Sequence, residues 1–95
     1  MYAENEVKLS GQIIKIYPVV TTPAGVKIAR FTLEHNSKQI EGKIVRQVSC
    51  KIFCVYVDGE ISSDLLNNHI SVIGFLSTNA QKELVLHITK IKNLD

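Results

Sequence analysis

The stretch VKLSGQIIKIYP, residues 7–18, changes the face of the strand on which its apolar side chains lie. The apolar residues of one parity are Val7, Leu9 and Ile13, and those of the other parity are Ile14 and Ile16. Gly11 stands among them. Because successive side chains of a strand point to opposite faces, a change of parity beside a glycine indicates a bulged or strongly coiled strand.

Four later segments also have the alternation or the short apolar run of a strand. Pro23-Ala24-Gly25 predicts a turn, since proline fixes φ and glycine accepts a positive φ, so the first two strands form a hairpin. ISSDLLNNH (61–69) has helical character, and Ser62 or Ser63 is a candidate cap for one short turn. The later strands are predicted within TTPAGVKIARFTLEH (21–35), IVRQVSCKIFCVYVDG (44–59), ISVIGFLS (70–77) and ELVLHITKI (83–91).

Five predicted strands and at most one short helical turn place the chain in the all-β class. No helix alternates with the strands, which excludes a Rossmann-type sheet. The interrupted first strand and the helical piece between the third and fourth strands favour a five-stranded OB-fold Greek-key barrel. An SH3-like barrel or an open sandwich also fits the periodicity. A chain of 95 residues has room for one packed core, so we expect a single OB-fold domain over residues 1–95, with residues 1–6 flexible.

The composition is that of a folded protein that stays in the cytoplasm. Hydrophobic residues make up 45% of the chain and charged residues 21%, which argues against disorder. Lys, Gly or Ser interrupts every apolar run before the roughly 18 residues of a membrane span, and no signal-peptide pattern opens the chain. Cys50 and Cys54 lie about 13 Å apart on one face of an extended strand, too far apart for a disulfide, which is typical of a reduced compartment.

Positive charge is concentrated in the first half of the chain. Residues 8–51 contain eight Lys and Arg against Glu34 and Glu41, whereas residues 52–81 contain three acids and no Lys or Arg. This distribution predicts an electropositive surface on the first half, although scattered cations on a solvated face fit it equally well.

The residues that could carry catalysis do not form a recognisable constellation. The candidates are the histidines His35, His69 and His87, the cysteines Cys50 and Cys54, and the carboxylates Glu34 and Glu41. The histidines lie in three different elements without the paired spacing of a zinc site. Both cysteines lie on the apolar face of their strand, and both carboxylates flank a solvated loop. No phosphate-binding or dinucleotide motif occurs, so we expect no enzyme activity, no metal and no cofactor.

A surface for single-stranded nucleic acid is the interpretation that fits the charge. On an OB barrel the second and third strands form the face over which a single strand runs. The polar residues of the third strand's wet face are Gln47, Ser49 and Lys51, and Arg30 lies on the matching face of the second strand. The polar stretch 34–50 predicts a hairpin arm beside this face, and it adds Lys38, Lys43 and Arg46.

Several motifs resemble those of the primosomal replication protein N (PriB) family, which is related to the bacterial single-stranded DNA-binding proteins. The motifs are LSG (9–11), PAG (23–25), FTLEHNS (31–37), EGKIVRQVSC (41–50), GFLS (74–77) and LVLH (84–87). The resemblance extends from about Leu9 to Ile91, and the blocks F-x-L-E-H and R-Q-x-x-C carry it best. It implies an OB-fold homodimer, a non-enzymatic accessory factor of bacterial replication restart. Its implied partners are single-stranded DNA, the primosomal helicase and other primosome proteins.

The chain departs from the pattern of this family at the aromatic positions. Members that bind single strands well have a tryptophan immediately before the cysteine of R-Q-x-x-C, where Ser49 stands, and an aromatic near the hairpin tip is replaced by Lys43 and Ile44. Each missing stacked base costs about 1–3 kcal/mol, so we expect weak, salt-dependent binding led by phosphate contacts. The predicted nucleic-acid-binding residues are Lys15, Arg30, Lys43, Arg46, Gln47, Ser49, Lys51 and Lys82, of which Lys15, Arg46 and Lys82 match basic residues of the family.

The sequence also bears on the oligomeric state and on two alternative functions. Apolar residues on both parities of the first strand favour a homodimer, although the chain's own loops are an equally good cover for one side. A protein–protein adaptor with little DNA binding is favoured by the missing aromatics. A general single-stranded DNA-binding protein is the other alternative. Such proteins usually carry a long acidic-tipped tail, whereas this chain ends at Asp95 directly after its last strand.

Overall fold

The computed structural model describes residues 2–95, in which six strands and one turn of 3-10 helix occur. The strands are β1 (Val7–Ile16), β2 (Val20–Thr21), β3 (Lys27–Glu41), β4 (Ile44–Val57), β5 (His69–Thr78) and β6 (Leu84–Asn93). The 3-10 turn covers Ser63–Leu65, and the Oγ of Ser62 caps it by accepting a hydrogen bond from Asp64 N at 3.2 Å. Among the described residues, no helix is long and apolar enough to cross a membrane.

The five long strands close into a barrel, and β2 adds a short pairing to the edge of β3. Around the barrel the order is β1, β5, β6, β4 and β3, and β3 pairs back onto β1. The pair β4–β6 is parallel, whereas the other pairs are antiparallel. This topology confirms the predicted all-β OB-fold Greek-key barrel and excludes the SH3-like barrel and the open sandwich.

Strand β1 is shared between two neighbours, as its sequence indicates. Residues 7–12 pair with β5, and residues 12–16 pair with β3 across a bulge between Ile13 and Lys15. The bulge reverses the parity, so both Ile13 and Ile16 pack in the core. The bulge itself therefore accounts for the apolar residues on both parities, so this pattern is no longer an argument for a homodimer.

The core lies between the inward faces of all five long strands. Its buried side chains are Ile13, Phe31, Leu33, Cys54, Ile70, Val72, Leu86 and Ile88. Fully burying an aliphatic or aromatic side chain of this size contributes about 1.5–3 kcal/mol. Burial also raises the pKa of the Cys54 thiol to about 12, because desolvation disfavours the thiolate. Cys54 is therefore a packing residue, whereas Cys50 is exposed, contrary to the prediction that it lies on a covered apolar face.

The segment predicted as a polar arm is a regular two-stranded hairpin. β3 and β4 stay in register from the pair Ile28–Val57 to the pair Glu41–Ile44. The pairing of β1 with β3 ends at Glu34, and β6 pairs with β4 only over Phe53–Val55. Residues 35–50 therefore project from the barrel as an arm, and the molecule measures 51 × 38 × 23 Å.

The N-terminal residues lie outside the strands. The side-chain amide of Asn5 binds the backbone of Leu76 twice, donating to its carbonyl at 2.8 Å and accepting from its N–H at 2.9 Å. The flexibility of residues 1–6 stays a prediction, and Met1 lies outside the described residues.

Candidate nucleic-acid interface

The outward face of β3 and β4 is a ladder of cross-strand pairs that continues from the barrel onto the arm. Residues opposite each other in an antiparallel pair point to the same side, so the register fixes this face. From the barrel to the arm tip the outward pairs are Arg30–Val55, Thr32–Phe53, Glu34–Lys51, Asn36–Ser49, Lys38–Gln47 and Ile40–Val45. Lys15 of β1 lies opposite Thr32 and joins the same face.

Two aromatic rings meet at the barrel end of this ladder. Tyr17 and Phe53 pack edge to face, with ring centroids 5.4 Å apart and an interplanar angle of 74°. Tyr17 follows β1 directly, and its backbone N–H donates to the carbonyl of Arg30 at 3.0 Å. The Tyr17 hydroxyl lies 3.2 Å from Thr32 Oγ1, within hydrogen-bond distance. These contacts hold both half-buried rings in fixed positions on an outward surface.

Two cations border the Tyr17 ring. Lys15 Nζ lies 4.8 Å from the ring centroid and Arg30 Cζ lies 5.8 Å from it, both within the range of a cation–π contact. Arg30 also donates from one terminal nitrogen to the carbonyl of Pro18 at 3.0 Å. Its Nε is buried and has no hydrogen-bond partner among the described residues. We name Lys15, Tyr17, Arg30 and Phe53 the Tyr17 cluster.

The Tyr17 cluster opens into a shallow depression of about 840 Å³ on the barrel surface. Its floor and walls include Tyr17, Thr32, Lys51, Phe53 and Val85. Aromatic rings flanked by cations are the side chains that hold single-stranded nucleic acid, since the rings stack on bases and the cations attract phosphates. The depression is therefore the strongest candidate site that the structure offers.

Five of the predicted binding residues lie in this cluster or on the same outward face. Lys15 and Arg30 belong to the cluster, and Gln47 and Ser49 follow along the arm. Lys51 is next to Phe53 on this face, but its Nζ lies 3.8 Å from a carboxylate oxygen of Glu34. Because that pair is solvent-exposed, it weakens the charge of Lys51 without removing it.

Arg46 and Lys43 lie apart from the Tyr17 cluster. Arg46 is opposite Gln39, so it points to the other side of the arm from Gln47. It donates to both carboxylate oxygens of Glu41 at 3.1 and 3.2 Å. Lys43 lies in the turn at the arm tip, about 30 Å along the strand from Phe53. The structure therefore does not bring these two residues to the depression.

Lys82 lies in the tight loop between β5 and β6, which borders the depression. Asn79 and Glu83 of this loop line the depression. Asn79 Oδ1 accepts hydrogen bonds from the backbone N–H groups of Gln81 and Glu83, at 3.0 and 2.9 Å. Lys82 itself is exposed and has a φ of 63°. Its loop is thus fixed beside the site, with one cation at its end.

The sequence interpretation missed the two aromatic residues of the cluster. Tyr17 and Phe53 are 36 positions apart, one just after β1 and the other in β4, so no spacing in the sequence links them. His35, one of the candidate catalytic residues of the sequence, lies within hydrogen-bond distance of the Ser10 carbonyl and of Ser37 Oγ, at 2.6 and 2.7 Å, and so braces the base of the arm. Residues 2–95 contain no group of three or more side chains suited to holding a metal ion.

Comparison with known proteins adds family information to this geometry. Residues 5–90 match the model of a family described as another single-strand binding protein family. The Replication restart protein PriB of Vibrio cholerae serotype O1 is 38% identical over 99 residues, which cover 95% of this chain and 98% of that protein. The chain belongs to the PriB family.

Solved PriB structures agree with this assignment. PriB from Ralstonia solanacearum superimposes with a TM-score of 0.84 at 27% identity, covering 98% of this chain and all of that one (100%). The N-terminal domain of PriB from Thermoanaerobacter tencongensis, described as dimeric, gives a TM-score of 0.65 at 14% identity and covers 96% of this chain and 97% of that chain. At that identity the likeness shows the shared fold alone. The PriB resemblance predicted from the sequence motifs is confirmed.

Proposed function

We propose that this chain is a non-enzymatic replication restart factor that binds single-stranded DNA at the Tyr17 cluster. The observation that carries the proposal is the pair of outward aromatic rings with Lys15 and Arg30 beside them. Relatives named as replication restart proteins and the single-strand binding family model support it. The proposed place of action is the bacterial cytoplasm, and the proposed unit is one OB-fold domain.

The cluster supplies both kinds of contact that a single strand needs. Tyr17 and Phe53 offer π faces and edges at the level of the depression, so bases have a surface to stack on. Lys15 is exposed, so its ammonium group is able to leave the Tyr17 ring for a phosphate when a base takes its place.

Binding is expected to be weak and sensitive to salt, which a titration measures directly. For a single strand, log K falls against log salt with a slope of about −0.7 per neutralised phosphate. Lys15→Gln should lower the affinity for a labelled oligothymidylate several-fold at low salt and reduce the slope by about 0.7, because one phosphate contact is lost.

Lys27→Gln is the matched control for this charge removal. Lys27 lies at the start of β3 and lines a different depression beside Glu60. Its replacement should leave both affinity and slope unchanged. If Lys15→Gln behaves like Lys27→Gln, Lys15 contacts no phosphate. If the wild-type protein does not bind the oligonucleotide at all, a protein–protein adaptor becomes the better assignment. The ion pairs Glu34–Lys51 and Glu41–Arg46, which reduce the free positive charge of the β3–β4 hairpin, favour that alternative.

We also propose that the chain acts as a homodimer and contacts the primosomal helicase. In the described residues, Val7–Gly11 of β1 pair with β5 on one edge, while pairing with β3 on the other edge begins only at Gln12. An open strand edge is a ready place for a second chain to pair. Sedimentation velocity should give twice the chain mass for the protein alone and a faster species with the purified helicase; a monomer throughout would contradict both proposals.

A further inference from the structure

We propose a second stacking site for nucleic acid, formed by Phe75 of β5 and His87 of β6. A single strand too long for the Tyr17 cluster would continue around the barrel and place a further base on this pair. The inference rests on the proposed function, since it extends the same DNA contact to a second site. The proposed site lies on the outward face of β5 and β6, a part of the barrel separate from the arm.

The geometry of the pair suits a flat ligand. The rings of Phe75 and His87 are parallel, with centroids 5.1 Å apart and an interplanar angle of 5°. They lie opposite each other on the outward face of the antiparallel pair β5–β6. Phe75 is 42% exposed, so part of its ring is free for another aromatic group. A nucleobase stacks on such a ring without regard to its identity, because every base has a π face.

The pair is continuous with the Tyr17 cluster through the sheet. His87 lies opposite Val55 in the parallel pair β4–β6, and Val55 lies opposite Arg30 in the pair β3–β4. The backbone carbonyl of Arg30 accepts a hydrogen bond from the backbone N–H of Tyr17. One row of outward side chains thus crosses four barrel strands, β5, β6, β4 and β3, and it has an aromatic residue at each end, Phe75 on β5 and Tyr17 just after β1. From β4 to β5 the row crosses two strand spacings, about 10 Å along the curved wall. A single strand that stacks on Phe53 therefore needs only a few more nucleotides to reach Phe75.

The charge of this wall matches a polyanion. Strands β1, β5 and β6 contain four lysines and no Asp or Glu. In the row next to the aromatic pair, Ile73 lies between Lys8 on one side and Lys90 on the other. The row after it places Lys92 opposite Ser71. Cations in the rows next to an exposed aromatic pair favour a ligand that carries phosphates as well as rings.

The test compares oligothymidylates of about 4 and about 16 nucleotides, the two ends of the usual site size of one OB fold. Phe75→Leu keeps an apolar side chain but removes the ring. It should lower the affinity for the long oligonucleotide about tenfold, the loss of one stacked base, and leave the affinity for the short one unchanged. Leu66→Ala is the control, because Leu66 is 43% exposed and caps the end of the 3-10 turn, outside strands β5 and β6.

The outcomes separate this inference from the proposed function. If Tyr17→Leu weakens both oligonucleotides and Phe75→Leu weakens neither, the second site is wrong while the first stands. If neither substitution changes any affinity, both proposals are wrong. If Phe75→Leu converts a dimer to a monomer in sedimentation, the pair belongs to a contact between two protein chains, and the second DNA site is again wrong.

Discussion

Gly11→Ala is expected to lower the free energy of unfolding by about 3 kcal/mol, the upper part of the range for overpacking. A Cβ at Gly11 would collide with the carbonyl oxygen of Glu34 and lie 3.1 Å from Leu33 Cγ. The colliding group is backbone of β3, so no side-chain rotation relieves the contact. For a chain of this size, the change should reduce the melting temperature by about 12–24 °C.

Gly42→Ala is the matched control for this prediction. Gly42 has a φ of 63° in the turn of the arm, and nothing lies within 4 Å of a Cβ added there. Its replacement lowers the stability only by the strain of an alanine in the left-handed backbone conformation, about 1 kcal/mol. Urea unfolding of both variants measures the difference. Equal losses of stability would show that the close approach of β1 and β3 does not require a glycine.

The fold follows from local signals that the sequence contains. The glycine and the parity change in VKLSGQIIKIYP reflect the crossing of β1 from β5 to β3 and the bulge that accompanies it. Gly74 has the same role on β5, where a Cβ would collide with the carbonyl oxygen of His87. The sequence does not single it out, because apolar residues stand on both parities around it, Val72 and Leu76 on one and Ile73 and Phe75 on the other, so no change of parity marks the position. A close approach of two backbones can be recognised from the sequence only when it also changes the parity of the apolar residues along the strand.

The candidate site was predictable only where it follows one strand. Alternation along β4 places Gln47, Ser49 and Lys51 on one face, as predicted, and the same rule puts Arg46 on the other face. The prediction assigned Arg46 to the hairpin arm as a whole and did not apply this alternation to it. Tyr17 and Phe53 meet because β1 bulges and then turns beside β3, which depends on the pairing of distant strands. Pairing across strands is tertiary information that residue spacing alone does not contain.

Replacing both rings of the Tyr17 cluster should cause the largest loss of DNA binding. Tyr17→Leu or Phe53→Leu alone removes one stacking surface and should weaken binding of an oligothymidylate about tenfold. The double variant should weaken it about 100-fold, close to 3 kcal/mol, if each ring holds its own base. Leucine fills most of the half-buried space, so the barrel is expected to lose only the edge-to-face contact of the two rings, about 1 kcal/mol.

Tyr17→Phe separates the ring from its hydroxyl. It keeps the stacking surface and removes the contact with Thr32 Oγ1, so affinity should stay within about threefold of the wild type. Fluorescence anisotropy at low salt measures the four variants and the wild-type protein, after urea unfolding has established that each is folded. Binding that survives in the double leucine variant would place the bases elsewhere, and phosphate contacts along the arm would then carry the interaction. A stepwise loss from single to double variant would instead assign the two rings to two separate bases, because only independent contacts add.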